Sequence, residues 1–360
     1  MTQALILAGG QGTRLRPLTC HTPKSMVPVI NIPFLEHVLR NLKAHSINDV
    51  ILAQHHLPAM MGEYFGDGAK FGMKITYVME DSPRGTAGAI KNAEGHLHDT
   101  FYVLNGDIFH NRDFTKMMQF HRERKAKVTI VLTPVEDPTI YGVVETDSAG
   151  QVKRFTEKPK KEEVVTNMIN AGTYIMEPEV LKRIPADVKV SIERETFPDM
   201  LSDGEPVFGY ESRNYWMDTG TPEKYLQLHK DILDGRCDGY SFDRDVTIAK
   251  GSRIDKRAKL SGKIVIGSGC SIDSGACLNG PVVIGNNCRI NKNVSISDCV
   301  IWENVTVEEN STISGTIIAN DTIVAAGTRL CGAVVGDHLT VRAEPVPEPG
   351  ARLFPEGELP

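Results

Sequence analysis

The sequence predicts two domains of different class, an α/β domain with a mostly parallel sheet and then a parallel β-helix. In residues 1–235, short apolar runs alternate with amphipathic helical patterns, which is typical of a parallel sheet covered by helices on both faces. From residue 248 onward, aliphatic residues recur every six positions, which is typical of a β-helix with three hexapeptides in each coil. We therefore expect domains at 1–237 and 238–343, and a flexible, proline-rich tail at 344–360.

The α/β domain begins with the apolar run Ala4–Ala8, which we interpret as a buried strand. In parallel sheets, ligands bind beyond the carboxyl ends of the strands. Residues that follow the strands at 4–8 and 100–104 are therefore expected along one edge. The other predicted elements are strands at 49–53, 74–78, 127–132, 141–146, 152–155 and 170–176, and helices from Pro33, near 114–125 and from Pro222 to Leu233.

The six-residue repeat runs without a break from Ile248 to Ile296. Its phase then slips by one residue before Ile301 and again before Ile318. Positions four residues after each repeat residue are mostly small, as the narrow interior of a β-helix requires.

Composition excludes several classes of protein. The chain has 360 residues, 41% of them hydrophobic, and a net charge of −6, which argues against a general nucleic-acid binder. Apolar runs stay well short of the roughly 18 residues of a membrane span. Seven cysteines without a C-x-x-C pair predict neither a disulfide framework nor a zinc site. We expect a cytoplasmic protein with neither nucleic acid nor membrane among its partners.

A glycine-rich loop with basic residues follows the first strand, in the sequence LAGGQGTRLRPLT at 7–19, and a Pro-Lys pair follows at 23–24. Glycines allow the backbone to approach a ligand closely, and successive backbone N–H groups can form an anion-binding concavity. Arg14, Arg16 and Lys24 add positive charge. The spacing fits neither a dinucleotide fingerprint nor a P-loop, but it predicts a site for a triphosphate.

This stretch resembles the signature of the sugar-1-phosphate nucleotidyltransferases, and the similarity extends over residues 1 to about 340. It is most similar to the mannose-1-phosphate guanylyltransferases that carry a C-terminal β-helix. The resemblance implies a Rossmann-like catalytic domain, a left-handed β-helix and a reaction that joins a sugar 1-phosphate to a nucleoside triphosphate and releases pyrophosphate.

The resemblance also implies roles for individual residues. Asp107 and Asp218 match the family's metal-binding aspartates, and Mg²⁺ favours such hard oxygen ligands. The implied catalytic residues are Arg14, Lys24, Asp107, Lys158 and Asp218. The implied nucleotide-binding residues are Leu7, Ala8, Gly9, Gly10, Gly12, Thr13, Arg14, Lys24, Glu80, Gly85, Thr86 and Asp107. The implied sugar-phosphate-binding residues are Gly142, Glu157, Lys158, Asn170, Gly172, Glu193 and Trp216.

Glu80 bears on the choice of nucleotide. Relatives that use thymidine or uridine triphosphates usually carry glutamine five residues before a glycine, where this chain has Glu80 before Gly85. A carboxylate only accepts hydrogen bonds, so it can accept from guanine N1–H and N2–H, whereas the carbonyl oxygens of uracil and thymine would repel it. We therefore expect GTP as the nucleotide.

Alternatives stay open at this point. The nucleotide could be dTTP, UTP or ATP with glucose 1-phosphate, and the acceptor could be mannose 1-phosphate or a pseudo-sugar phosphate such as valienol 1-phosphate. The chain could also be a non-catalytic regulatory subunit that binds a nucleotide sugar, although the charged signature residues are present. An acyltransferase is disfavoured because residues 248–330 contain no histidine. An exposed β-helix face with open ends predicts a homo-oligomer.

Overall fold

A computed structural model describes residues 2–55, 57–242 and 244–358. An α/β arrangement with a largely parallel sheet occupies the first part of the chain, and stacked parallel strands follow. The predicted fold class is therefore confirmed.

The chain forms two compact units, which do not coincide with the predicted boundary at 237. One unit comprises Met1–Gly10 and Leu35–Trp216, and the other comprises Gln11–Phe34 and Met217–Pro360. The segment Gln11–Phe34, which carries most of the basic loop, thus packs with the C-terminal part of the chain.

The first unit is built around one twisted sheet. Its strands, in spatial order, are Val152–Glu157, Gly142–Thr146, Met168–Met176, Phe101–Asn105, Gln3–Leu7, Asp49–Gln54 and Lys74–Met79. Val128–Pro134 also pairs with Met168–Met176, and Val207–Glu211 continues the sheet beside Val128–Pro134. The strands from Phe101–Asn105 to Lys74–Met79 are parallel, so their carboxyl ends share one edge.

The helices of the first unit bury their apolar faces. In the helix Phe34–Ala44, for example, Leu35, Val38, Leu39 and Leu42 are buried. Among the described residues, the α-helices of the first unit are Phe34–Ala44, Pro58–Phe65, Gly85–Asn92, Phe114–Arg124 and Phe197–Ser202, and a π-helical turn spans Ile192–Thr196. The helix Pro222–Leu233 belongs to the second unit. The helices Pro58–Phe65, Gly85–Asn92 and Phe197–Ser202 were not predicted from the sequence.

The second unit contains a stack of parallel strands, consistent with the predicted left-handed β-helix. One group of paired strands comprises Val246–Ile248, Lys259–Ser261, Ile264–Ile266, Cys277–Ile284, Ser295–Ile301, Thr312–Ser314, Ile317–Ile318, Arg329–Cys331, Val334–Val335 and Arg352–Leu353. Another comprises Arg253–Ile254, Ser271–Ile272, Arg289–Ile290, Thr306–Val307, Ile323–Val324 and Thr340–Val341. The repeat residues from Ile266 onward are buried in one apolar core.

The phase slips of the repeat change the length of the coils. Ile264 pairs with Val282, eighteen positions later, but Val282 pairs with Cys299, only seventeen positions later. Coils after the first slip therefore have one side that is a residue shorter, while the interior positions stay in register. Polar side chains also pair between successive coils. For example, Asn304 donates to Asp321, seventeen positions later, at 3.0 Å.

The C-terminal segment departs from the sequence prediction. Within residues 344–360, which were predicted to be flexible, Arg352–Leu353 pairs in parallel with Val334–Val335. Pro355 is buried. A short strand therefore lies within the segment that was predicted to be flexible, and it extends the β-helix. Leu359 and Pro360 lie outside the described residues.

Across 2–55, 57–242 and 244–358, every helix is too short or too polar to cross a lipid bilayer.

Candidate functional site

The carboxyl edge of the parallel strands in the first unit carries the start of the glycine-rich loop. Ala8 donates its backbone N–H to Ala53 at 2.8 Å, and Gly106 donates to Leu7 at 2.9 Å. A Cβ on Gly106 would lie 2.7 Å from the Leu7 carbonyl oxygen, so only glycine fits there. This close packing brings the Asn105–Asp107 turn beside Leu7 and Ala8, as the sequence predicted.

Glu80 lies beside the same loop. Its side chain is buried, with 8% exposed, and a Cβ on Gly9 would be 3.2 Å from the Glu80 Oε2 atom. The backbone N–H of Arg84 donates to the Glu80 carboxylate at 3.3 Å. Burial raises the pKa of Glu80, although the Arg84 N–H and the charges of His55 and Arg84 partly oppose this rise. Among the described residues, the long hydrogen bond from Arg84 leaves this buried carboxylate able to accept further hydrogen bonds from a ligand.

Gly85 begins the helix that follows Glu80. Its φ of +73° lies in the left-handed region, and a Cβ there would meet the Val190 carbonyl oxygen at 2.5 Å. Ala87 donates its N–H to the same carbonyl at 3.1 Å. Glycine is therefore required for the helix Gly85–Asn92 to pack against the segment at Val190.

Glu193 forms hydrogen bonds both to the helix Gly85–Asn92 and to the strand Met168–Met176, which contains residues predicted to bind sugar. Its carboxylate accepts hydrogen bonds from the hydroxyls of Thr86 and Ser191, both at 2.7 Å, and from the Tyr174 hydroxyl at 3.4 Å. Asn170 in turn donates to the Tyr174 hydroxyl at 2.8 Å. Sequence reasoning missed Tyr174 because it lies in an apolar strand and carries no motif.

Gly172 brings the sugar-side strand close to Asn105. Pairing with Val128–Pro134 is interrupted between Asn170 and Tyr174, and the Gly172 N–H bonds to the Asn170 side chain at 3.0 Å. Gly172 has a φ of +65°, and a Cβ there would be 2.7 Å from the Asn105 amide nitrogen. The bulge thus places Gly172 beside Asn105, at the strand end that precedes Asp107.

Glu157 is the second half-buried carboxylate on this side. Burial raises its pKa, and the negative charge of Glu193 raises it further, while Lys158 and Arg194 lower it. A Cβ on Gly142 would lie 2.8 Å from the Glu157 carboxylate. The effect of Glu193 on the pKa of Glu157 places the two carboxylates near each other, and such a pair can accept hydrogen bonds from hydroxyl groups.

Trp216 and Lys158 border these carboxylates. The indole N–H of Trp216 donates to the Ala171 carbonyl at 3.1 Å, and its ring meets Tyr141 edge-on at 5.4 Å. Lys158 is exposed and has a left-handed φ of +50°, while its N–H donates to the Tyr141 carbonyl at 2.9 Å. The structure therefore brings the residues predicted to bind sugar phosphate into one region of the first unit.

A cluster of cationic side chains surrounds Asp218 in the second unit. Among the described residues, Arg14, Lys24 and Lys224 lie 3.8, 3.9 and 3.7 Å from its carboxylate oxygens. Lys24 is buried with 9% exposed, whereas 64% of the Arg14 side chain is exposed. Such a concentration of cationic side chains favours phosphate groups. The sequence analysis did not identify Lys224 as a site residue. It lies beside Asp218 because the chain turns there into the helix Pro222–Leu233.

Glycines permit this close packing. A Cβ on Gly220 would lie 2.5 Å from the Arg14 guanidinium, and one on Gly12 would lie 3.1 Å from the Lys24 Cβ. The Thr19 hydroxyl donates to the Gly12 carbonyl at 2.8 Å. Gly10 differs, because a Cβ there would meet no atom within 4 Å, so this backbone faces open space.

The donor chemistry of the predicted metal ligands suits magnesium. Asp107 and Asp218 are each partly buried carboxylates, and Mg²⁺ in phosphate-transferring sites commonly takes one or two carboxylates together with phosphates and waters. Among the described residues, no group of three or more His, Cys, Asp or Glu forms a protein-only metal cage. Such a cage is not needed when phosphates complete the coordination.

The fold defines an α/β protein with an appended stack of parallel strands. Residues 3–235 match the family model for nucleotidyl transferases, and the chain belongs to that family. Residues 243–345 match the model described as the EIF2B subunit epsilon LbH domain.

Curated relatives carry more specific names. The chain is 44% identical over 234 residues to a mannose-1-phosphate guanylyltransferase of Mycobacterium tuberculosis, covering 64% of this chain and 65% of the relative. It is 42% identical over 241 residues to a mannose-1-phosphate guanyltransferase of Yarrowia lipolytica, covering 65% of this chain and 63% of the relative. The matched region thus spans just under two thirds of the length of these relatives.

Solved structures share the fold of the first part of the chain. HddC from Yersinia pseudotuberculosis is 28% identical, with a TM-score of 0.56, covering 64% of this chain and 99% of that protein. The same values hold for HddC complexed with GMP-PN. A putative glucose-1-phosphate thymidylyltransferase from Bacillus anthracis has a TM-score of 0.60 at 24% identity, covering 68% of this chain and 98% of that protein, which shows the fold alone.

Proposed function

We propose that this protein transfers the guanylyl group of GTP to a sugar 1-phosphate, with mannose 1-phosphate as the favoured acceptor. The observation that carries the choice of GTP is the buried Glu80 carboxylate beside Gly9. The names of the relatives and the GMP-PN complex of HddC support the same nucleotide and acceptor.

The proposed reaction is a direct displacement at phosphorus. An oxygen of the sugar phosphate attacks the α-phosphorus of GTP, and the bond from that phosphorus to the bridging oxygen breaks. Pyrophosphate leaves with the bridging oxygen, and the product is a GDP-sugar. Both reactants are anions, so catalysis depends mainly on alignment and on cancelling charge.

The proposed roles follow from the chemistry of each group. Arg14 and Lys24 stabilise negative charge on the triphosphate, and the open backbone at Gly10 donates N–H groups to it. Glu157 and Glu193 accept hydrogen bonds from sugar hydroxyls, while Lys158 binds the acceptor's phosphate. Asp107 and Asp218 hold Mg²⁺, which when bound neutralises phosphate charge and polarises the reacting phosphorus. This metal assignment rests on the motif resemblance and on donor chemistry.

A pyrophosphate-release screen tests the proposal. Purified protein is combined with GTP, dTTP, UTP or ATP and with mannose, glucose or valienol 1-phosphate, and release is measured for each pair. We expect GTP with mannose 1-phosphate to react fastest. Faster reaction with dTTP and glucose 1-phosphate would favour the thymidylyltransferase alternative, and binding without release for every pair would favour a regulatory subunit.

Replacing Lys158 tests the division of labour between the substrates. Lys158→Met keeps the aliphatic stem and the backbone conformation but removes the charge. We expect the KM for the sugar phosphate to rise about 10- to 100-fold, as for one charge-assisted hydrogen bond, while the KM for GTP changes less than about twofold. Steady-state kinetics with each substrate varied would measure this, with Lys160→Met as the exposed control. An equal rise in both KM values contradicts the assignment.

We also propose that the protein is a homo-oligomer through the β-helix. Ile248 and Ile323 are large apolar side chains with 42% exposed, and strand Val246–Ile248 pairs with Ile264–Ile266 at the first coil. Light scattering at micromolar concentration should give a multiple of the 39.6 kDa chain mass. A mass of one chain would count against this assembly.

A further inference from the structure

Arg352 connects the C-terminal strand to the basic turn of the signature loop. Its guanidinium donates to the backbone carbonyl of Arg14 at 3.2 Å and to that of Arg16 at 2.9 Å. One exposed side chain thus bonds both carbonyls that flank Leu15. These contacts join residues that are 338 and 336 positions apart in the chain.

Arg352 supplies hydrogen-bond donors to two carbonyls of the turn. The carbonyls of Gly12, Thr13 and Leu15 accept backbone N–H groups at 2.9, 3.2 and 3.1 Å. The carbonyls of Arg14 and Arg16 accept hydrogen bonds from the Arg352 guanidinium instead. The last carbonyls of a short helical turn need such donors, and a cation is the favourable donor there.

The far end of the same loop is held from the same part of the β-helix. His21 bonds to Asp337 at 3.0 Å and lies 3.7 Å from the Glu358 carboxylate. Glu358 also interacts with the Cys20 thiol, whose pKa is raised mainly by burial and further by that carboxylate. Residues 14–21 are therefore bracketed by Arg352 at one end and by Asp337 and Glu358 at the other.

The C-terminal segment is itself anchored, so it can act as a rigid support. Arg352–Leu353 pairs with Val334–Val335, and Leu353 packs against the core of the β-helix. A Cβ on Gly336 would meet the Pro355 ring at 2.6 Å. The residues that follow the strands Val334–Val335 and Arg352–Leu353 are therefore in close contact.

We propose that Arg352 is a positioning residue for transfer, which fixes the turn Thr13–Leu15 so that the Arg14 guanidinium stays beside Asp218. The inference rests on the proposed function only in that Arg14 meets the triphosphate. The β-helix is then part of the catalytic machinery, because its last strand sets the position of a residue at the site.

The variants Arg352→Ala and Arg352→Lys test this role. Arg352→Ala should lower kcat about tenfold or more, as for loss of charge-assisted hydrogen bonds, while the KM for mannose 1-phosphate stays within about twofold. Arg352→Lys should restore part of kcat, because an ammonium can still donate to one of the carbonyls. Arg329→Ala, at an exposed arginine of another β-helix strand, is the control and should behave as the parent protein.

Amide hydrogen exchange gives a readout that does not depend on activity. In Arg352→Ala, amides of residues 13–20 should exchange faster, while those of the β-helix strands keep their rates. If kcat and exchange in 13–20 are both unchanged, the proposal is overturned. Faster exchange throughout the β-helix also overturns it, because Arg352 would then be merely structural. If the parent protein shows no transfer with any substrate pair, the proposed function fails, and the exchange of residues 13–20 still decides the role of Arg352.

Discussion

Replacing either proposed metal ligand should nearly abolish transfer. Asp107→Asn and Asp218→Asn keep the shape of the side chain but remove the charge that Mg²⁺ requires. Metal assistance contributes several kcal/mol to such reactions, so kcat should fall at least about 10³-fold. Pyrophosphate release at saturating substrates measures this loss, and Asp238→Asn, an exposed carboxylate, should retain ordinary activity.

A magnesium titration distinguishes two roles for Asp218. If it binds the ion, the Asp218→Asn variant should need more Mg²⁺ for half-maximal rate, and high Mg²⁺ should restore part of the activity. If its purpose is to hold Arg14, Lys24 and Lys224 in place, the KM for GTP should change while the Mg²⁺ requirement does not. Near-normal turnover in either aspartate variant would show that its metal assignment is wrong.

The second large effect concerns the base of the nucleotide. We expect GTP to be preferred over UTP and dTTP by at least about 10²-fold in kcat/KM, because a buried carboxylate left without donors opposes binding of the wrong base. ITP keeps N1–H but lacks the 2-amino group, so it should lie between GTP and UTP, about 1–3 kcal/mol weaker than GTP. Competition assays among the four triphosphates measure the ranking.

Variants and pH test whether Glu80 is the cause of this preference. Glu80→Gln should reduce the preference and admit UTP or dTTP, because an amide both donates and accepts. Asp81→Asn changes an exposed neighbouring carboxylate and should leave the ranking unaltered. The hypothesis fails if the parent protein uses dTTP as well as GTP, or if Glu80→Gln leaves the ranking untouched.

The pH dependence has a definite sign. Burial raises the pKa of Glu80, so the carboxylate gains a proton at a higher pH than an exposed glutamate does. The protonated group no longer accepts from both guanine N–H groups, and the preference for GTP should therefore narrow as the pH falls toward that raised pKa. In Glu80→Gln the preference should lack this dependence.

The sequence predicted the fold well where the signal was periodic. The helix Pro222–Leu233 and the six-residue repeat each have a periodic apolar pattern, and the one-residue slip before Ile301 corresponds to the shorter coils. The strand Gln3–Leu7 was predicted from a continuous apolar run. The helix Gly85–Asn92 was missed because its glycines and alanines give little amphipathic signal. The strand Arg352–Leu353 was missed because prolines surround it and its pairing partner lies in the preceding coil.

Predictions of the site depended on motifs, and the structure bears on where the residues lie rather than on what they bind. The structure gathers Glu157, Asn170 and Glu193 in one region, which their wide spacing in the chain could not show. Tyr174 and Lys224 carry no motif and become visible only through their distances to Glu193 and Asp218. The ligand roles themselves stay predictions until the substrates are identified.

The packing of Gln11–Phe34 with the C-terminal unit has a consequence during synthesis on the ribosome. Asn31 bonds to Ile284, and the carbonyl of Arg14 bonds to Arg352, 338 residues later. At about 5–20 residues per second, a nascent chain waits roughly 17 to 70 s between making Arg14 and making Arg352. The signature loop is made first, but it completes its contact with Arg352 only when the coil that carries Arg352 has left the exit tunnel. A chain released before that point lacks this support for the loop.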